Sequence, residues 1–211
     1  MSIRNRIEVM HGVNLDQLGR RPEAHYGSLT FEQLEFRIDE FGAELDLSLR
    51  FFQTNAEGEF VEELHRAADY ADGLLLNPGA WTHYAWALRD ALEIAGLPAV
   101  EVHLSDIAAR EQWRHLSVLE GVVVAQVKGQ GVEGYRTALA KLREALSVLN
   151  VSIDRIGNAR SILTDEAIGQ LGRTITDGLT KLRDCQATPE RRSQKQDARS
   201  QAFQEEPPRE N

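Results

Sequence analysis

The stretch Pro98-Ala-Val-Glu-Val-His-Leu-Ser-Asp-Ile-Ala-Ala-Arg-Glu-Gln-Trp-Arg114 carries the pattern that decides the fold. Residues 99–104 are mostly apolar and predict a short buried strand, and the residues from Ser105 or Asp106 onward predict a helix. A strand that runs directly into a helix places His103 at the carboxyl edge of a sheet, beside the unpaired N–H groups of the first helical turn. Those N–H groups form a ready site for an anion.

Charged side chains in the same stretch favour a site for a small acid. Glu101 lies two residues before His103, so the two side chains share one face of the strand and the carboxylate can hold one ring nitrogen. Arg110 and Arg114 are four residues apart and are predicted to share one face of the helix. The simpler alternative is a structural role for His103, which is the commoner role of a histidine near the end of a strand.

Length and composition limit the classes of protein that the sequence can encode. The chain has 211 residues, 42% of them hydrophobic, which suits one domain of ordinary size and an additional segment. A net charge of -9 argues against a protein dedicated to binding nucleic acid or anionic membranes. Cys185 is the single cysteine, so the sequence offers neither an internal disulfide nor a cysteine zinc site. Because we find no apolar run of membrane-span length and no signal-peptide pattern, we expect a cytoplasmic protein.

Residues 1–149 show the alternation of an α/β domain. Apolar runs predict strands at residues 7–10, 47–54, 73–76, 99–104 and 122–127, and periodic apolar residues predict a helix after each strand. Thr30 and Gln33 have the spacing of a capping box at the start of the first helix. The alternation predicts βαβ units and hence a three-layer, doubly wound, five-stranded parallel sheet.

Polar side chains follow four of the predicted strands. They are Asn14, Asn55, Asn77 and His103. Ligands of such sheets bind at the carboxyl ends of the strands, so we expect these side chains to meet in a small-molecule site.

The sequence changes character after residue 149. Weak apolar periodicity predicts an extension at residues 150–185 that is partly helical. Residues 186–211 are polar and predict a disordered tail.

A glycine motif leaves a different class of enzyme open. Gly129, Gly131 and Gly134 form the pattern G-x-G-x-x-G after a predicted strand, and Asp154 follows 20 residues after the last glycine. That context is typical of dinucleotide binding and would fit an NAD(P)-dependent oxidoreductase. Against it, the motif follows the last strand instead of the first, and the glycines have an alternative role in tight packing of strand and helix.

Five motifs in order give the chain a resemblance to a known family, the type II 3-dehydroquinate dehydratases. The motifs lie in residues 11–27, 53–59, 77–83, 87–92 and 101–117, and the resemblance extends over about residues 7–149. Gly129 to Tyr135 also fits the last strand-to-helix turn of that family, which accounts for the glycine motif. The resemblance implies a flavodoxin-like fold and the trans-elimination of water from 3-dehydroquinate to 3-dehydroshikimate through an enolate. It implies no cofactor, no metal and no Schiff base.

The resemblance also implies a role for individual residues in catalysis. Tyr26 matches the family's base, and because a free tyrosine has a pKa of about 10, it needs a nearby cation such as Arg21. Asn14 matches the residue that steadies the enolate through a water molecule. His103 matches the general acid that protonates the leaving hydroxyl, with Glu101 as its orienting partner.

Further residues match the family's substrate contacts. The carboxylate would lie on Asn77 and on the N–H groups of Leu104 and Ser105, whereas the ring hydroxyls and the shape of the pocket would depend on His83, Asp90 and Arg114, with Arg110 as an assisting cation. The loop at residues 16–27 would act as a lid. The expected partners are the substrate and further copies of the chain, in a dodecamer built from trimers, with a role in aromatic biosynthesis or quinate breakdown.

The sequence departs from the family at positions that leave all these residues in place. His11-Gly-Val-Asn14 stands where Asn-Gly-Pro-Asn is usual, Pro22 directly follows Arg21, and Tyr84 and Trp86 replace small residues. A third hypothesis is therefore a binding or scaffold protein that has kept the pocket and lost turnover.

Overall fold

Five strands form one sheet in which every neighbouring pair is parallel. The computed structural model describes residues 4–20 and 29–160, with the side chains of 151–160 left out. The strands are β1 (Arg6–His11), β2 (Ser48–Gln53), β3 (Gly73–Asn77), β4 (Ala99–His103) and β5 (Ala125–Lys128). Their order, β2-β1-β3-β4-β5, is that of flavodoxin-like doubly wound sheets and confirms the predicted fold class.

Four α-helices cover the two faces of the sheet within the described residues. They are α1 (Phe31–Glu44), α2 (Glu57–Ala67), α3 (Trp86–Ala95) and α4 (Glu133–Arg160). Apolar residues of α1 and α4 pack into one buried cluster with one face of the sheet, and those of α2 and α3 into another with the opposite face. This arrangement gives the three layers predicted from the alternation of strands and helices.

Local sequence explains where the first of these helices begins. The Thr30 hydroxyl accepts a hydrogen bond from the backbone N–H of Gln33 at 3.3 Å, and the Gln33 side chain accepts one from the N–H of Thr30 at 3.0 Å. This reciprocal pair is the predicted capping box, which satisfies two of the N–H groups that a helix start leaves unpaired.

The helix predicted after β4 is wrong. The structure has two short 3₁₀ turns there, Ile107–Ala109 and Gln112–Arg114. Arg110 is extended between them, and its carbonyl oxygen lies 3.1 Å from a ring nitrogen of His115. Because the N–H of Arg114 bonds to Glu111 at 2.8 Å instead of to Arg110, the helical ladder is not continued.

The last strand is shorter than predicted. It spans Ala125–Lys128, whereas the apolar run begins at Val122. The N–H groups of Val122 and Val123 both bond to the carbonyl of Leu119, and Gly121 has a φ of 82°. The apolar residues before Ala125 therefore belong to the turn that precedes β5.

The chain divides into two units, Met1–Ile153 and Asp154–Asn211. Only the first residues of the second unit, within α4, are among those described. The boundaries at residues 149 and 185, and the disorder of 186–211, stay predictions because most of that segment lies outside the described residues. In the described part of the chain, no helix is both long enough and apolar enough to cross a membrane.

Candidate active site

A cleft of about 130 Å³ lies at the carboxyl ends of β1, β3 and β4. Its walls include eight of the residues predicted for the site: Asn14, Asn77, His83, His103, Leu104, Ser105, Arg110 and Arg114. These residues are up to a hundred positions apart in the sequence. The parallel sheet brings them together because every one of these strands ends at the same edge.

The Glu101 carboxylate and the His103 imidazole form a buried pair at the end of β4. Glu101 Oε1 lies 2.7 Å from His103 Nε2, and Glu101 is fully inaccessible to solvent. Both residues lie on one face of the strand, as their spacing predicts. The carboxylate accepts the proton on Nε2, which fixes the tautomer and leaves Nδ1 as the nitrogen available to a ligand.

Three further side chains hold the Glu101 carboxylate. Ser117 Oγ donates at 2.8 Å and Gln126 Nε2 at 2.6 Å, and the Thr82 hydroxyl donates to Oε1. Burial acts to raise the pKa of Glu101, but the hydrogen bonds from His103, Thr82 and Ser117 outweigh it and hold the pKa below its usual range. Glu101 is therefore ionised at neutral pH.

Sequence reasoning did not single out those three residues. Gln126 of β5 stands directly opposite Glu101 of β4 in the parallel register. Paired residues of neighbouring strands share a face of the sheet. The contact could therefore have been predicted only if the register of β4 and β5 had been known. Thr82 and Ser117 lie inside motifs of the resemblance, where they carried no assigned role.

His83 lines the cleft next to His103. Its Nδ1 lies 2.7 Å from the carbonyl oxygen of Leu116, and its ring is stacked at 6.4 Å from that of His103. Trp113 packs against it edge-on with 5.2 Å between ring centroids. Burial lowers the pKa of His83, and the neighbouring His103 and Arg114 act in the same direction, against the Leu116 hydrogen bond. His83 is therefore neutral and presents Nε2 as an acceptor.

Two arginines bring positive charge to the same cleft. Arg110 and Arg114 do not share a helix face, because no α-helix forms there. Arg110 follows the first 3₁₀ turn, and Arg114 is the last residue of the second. Glu111 holds both, with Oε2 at 2.7 Å from Nε of Arg114 and 3.5 Å from Nε of Arg110. The Arg114 guanidinium also lies 3.9 Å from the centroid of Trp113, which fixes its plane.

Asn14 lies in the cleft as expected, whereas Asn55 does not. Asn14 lines the cleft with a left-handed backbone, φ 64°, and its N–H donates to Asn55 Oδ1 at 2.7 Å. Asn55 Nδ2 in turn donates to Asp16 at 3.1 Å. Asn55 therefore supports the turn that carries Asn14 and does not line the cleft.

Four of the predicted residues do not line the described cleft. Glu101 is one of them and is buried beside His103. Asp90 is exposed on α3 and lies outside the cleft, because the neighbouring positions Leu88 and Ala91 face the core. Arg21 and Tyr26 lie outside the described residues, so their predicted roles stay predictions.

The glycine motif forms the turn between β5 and α4. Gly129 and Gly131 have φ values of 76° and 55°, and a Cβ on Gly129 would lie 2.9 Å from the Cβ of Asp106. Asp154 is inside α4 instead of at the end of a further strand. The acidic residue of a dinucleotide fingerprint is therefore not in its place, and tight packing explains the glycines.

Comparisons with known proteins agree with this fold. A family model described as Dehydroquinase class II matches residues 5–143. The chain is 48% identical over 143 residues to a 3-dehydroquinate dehydratase of Pelobacter propionicus, covering 67% of this chain and 96% of that relative. The solved type II dehydroquinase of Butyrivibrio crossotus is similar at a TM-score of 0.64 and 37% identity, covering 67% of this chain and 99% of its own. That of Propionibacterium acnes is similar at 0.64 and 40%, covering 68% and 99%. Because the family model and these relatives match the whole region that contains the five strands, the chain belongs to the class II dehydroquinase family.

Proposed function

We propose that this protein is a hydro-lyase that eliminates water from 3-dehydroquinate to give 3-dehydroshikimate. The observation that carries the proposal is the buried Glu101–His103 pair at 2.7 Å, whose histidine lines a cleft that two arginines border. An imidazole held by an ionised carboxylate is a suitable general acid, and the cations suit an anionic substrate. The named relatives, 3-dehydroquinate dehydratases, belong to the same family.

The proposed chemistry divides between the cleft and the segment at residues 21–28. Tyr26, assisted by Arg21 and Arg110, removes the proton next to the ketone of the substrate. Asn14 steadies the resulting enolate through a water molecule. His103, as an imidazolium whose Nε2–H stays on Glu101, then gives its Nδ1 proton to the departing hydroxyl, so that the hydroxyl leaves as water and the ring gains its double bond.

The substrate carboxylate is proposed to lie against Asn77 and the N–H groups of Leu104 and Ser105. All three residues line the cleft. The N–H groups of Leu104 and Ser105 precede a 3₁₀ turn instead of the α-helix that the sequence predicted. His83 and Arg114 are proposed to hold the ring hydroxyls. The role of Asp90 stays a prediction, since within one copy of the chain it lies outside the cleft.

Assembly and location are further parts of this proposal. We expect a homododecamer built from trimers and a cytoplasmic enzyme, in aromatic amino acid biosynthesis or in quinate breakdown. Large apolar side chains of α3 and the residues before it support association with further copies: Tyr84 is 56% exposed, Trp86 57% and Ile94 73%.

The decisive experiment mixes the purified protein with 3-dehydroquinate and follows the ultraviolet absorbance of the conjugated enone product. We expect turnover by the wild type, and loss of at least about a hundredfold in kcat for both Tyr26→Phe and His103→Ala, the typical contribution of a general base or acid. His65→Ala is the matched control, because His65 is exposed on α2, and it should keep full activity.

Each alternative predicts a different result in the same assay. A wild type that binds 3-dehydroquinate in calorimetry without forming product would favour the binding or scaffold protein. Binding of NAD(P) in calorimetry would support the oxidoreductase, and its absence would dispose of that hypothesis.

A further inference from the structure

Two hydrogen bonds behind the cleft hold the side-chain amide of Asn77 in one orientation. The backbone N–H of Gly79 can only donate, so the Asn77 atom that it meets at 3.3 Å is the amide oxygen. The amide nitrogen then donates to the hydroxyl oxygen of Tyr135 at 2.8 Å. Because the nitrogen carries two hydrogens, one remains for a ligand in the cleft.

Tyr135 is a fixed acceptor for that amide. It comes from α4 and is fully buried, so bulk solvent does not reach its hydroxyl. Burial raises the pKa of Tyr135, against the effect of the Asn77 hydrogen bond, and the phenol therefore keeps its proton.

We propose that Tyr135 is a positioning residue that holds the Asn77 amide with its nitrogen toward the cleft. The inference rests on the proposed function, because the orientation matters where the ligand is a carboxylate: a flipped amide presents its oxygen and repels the anion.

Steady-state kinetics with 3-dehydroquinate test the proposal in Tyr135→Phe. This variant keeps the ring and removes the hydroxyl, and we expect KM to rise about tenfold while kcat changes less than about twofold, because the Asn77 contact is made equally in the ground and transition states.

The control is Tyr70→Phe. The Tyr70 hydroxyl likewise makes one side-chain hydrogen bond, as a donor to the buried Glu63, but Tyr70 does not border the cleft, so the KM of Tyr70→Phe should equal that of the wild type. Thermal unfolding of every variant separates a positioning role from a structural one. A structural role lowers the midpoint of Tyr135→Phe without splitting KM from kcat.

The remaining results overturn the inference. A wild-type KM in Tyr135→Phe overturns the positioning role of Tyr135. A wild-type protein that neither binds nor dehydrates 3-dehydroquinate overturns the proposed function, and this inference with it. Normal wild-type turnover with unaffected variants overturns the inference alone.

Discussion

Glu8 is a buried carboxyl group for which the proposed chemistry has no use. It is fully inaccessible in the middle of β1, and neither of its oxygens has a hydrogen-bond partner among the described residues. Its nearest cation is Arg50 on β2, with Nε at 3.6 Å from Oε2. Burial, with a smaller contribution from Glu63, raises the pKa of Glu8 to about 7 against the opposing effect of Arg50.

The raised pKa predicts how Glu8 affects stability. At pH values between 4.5 and about 7 the folded protein holds a proton that the unfolded chain releases, so the stability contributed by Glu8 is lost as the pH rises through about 7. Glu8→Gln imitates the protonated form. We expect it to raise the free energy of unfolding by about 1–3 kcal/mol at pH 8 and to change it little at pH 4. Urea denaturation at both pH values measures this difference.

Glu63 provides the opposite case on α2. Burial acts to raise its pKa, but the Tyr70 hydroxyl and the Arg66 guanidinium together hold it below the usual range. Glu63→Gln should therefore lower the free energy of unfolding at pH 8. If Glu8→Gln brings no gain at pH 8, or the same change at both pH values, Glu8 is ionised in the folded protein and this account of it is wrong.

The turn after β1 depends on a close approach between two elements. A Cβ added to Gly12 would lie 2.4 Å from the carbonyl oxygen of Pro78 and 2.7 Å from its carbonyl carbon. The backbone N–H of Gly12 also donates to the carbonyl of Asn77 at 2.8 Å. This contact sets the distance between the segments that carry Asn14 and Asn77. The atoms that an added Cβ would meet belong to the backbone of Pro78, so they cannot move aside as a side chain can.

We therefore expect Gly12→Ala to lower the free energy of unfolding by about 1–3 kcal/mol, the usual cost of overpacking, and to lower kcat/KM as the two segments move apart. Gly58→Ala is the matched control. Gly58 lies in α2 with no atom within 4 Å of an added Cβ, so the same substitution should stabilise the protein by about 0.5–1 kcal/mol. Equal effects of the two substitutions in thermal unfolding would contradict the argument.

Elements with strong local signals were predictable from the sequence. The capping box of Thr30 and the apolar runs of β3 and β4 depend on a few neighbouring residues, and the structure confirms them. The helix predicted after β4 is wrong. The carbonyl of Arg110 accepts from the side chain of His115, five residues later, and not from the backbone N–H of Arg114 as in a helix, and helical periodicity does not reveal such a side-chain bond. Gln126 was missed for a similar reason, since its contact with Glu101 depends on the register of two strands.

At the scale of the whole molecule, the exposed aromatic residues around α3 make assembly testable. Light scattering of the full chain should give a mass close to twelve times the 23.7 kDa of one copy. Trp86→Glu places a charge on the 57% exposed Trp86 and should reduce that mass. Phe36→Glu alters a similarly exposed ring on α1 and serves as the control. A wild-type mass of one chain would exclude the oligomer.

The strand order also governs when the cleft can exist during synthesis of the chain. β1 lies beside β3 although β2 comes between them in the sequence, so His11 pairs with Asn77 only after a loop of more than sixty residues has closed. Tyr135, which holds Asn77, belongs to the last helix that is described. A ribosome-bound chain that has not yet released α4 therefore has β4, with Glu101 and His103, but lacks the contact between Tyr135 and Asn77. Because these contacts join residues far apart in the sequence, we expect the binding site to form more slowly than the local helices.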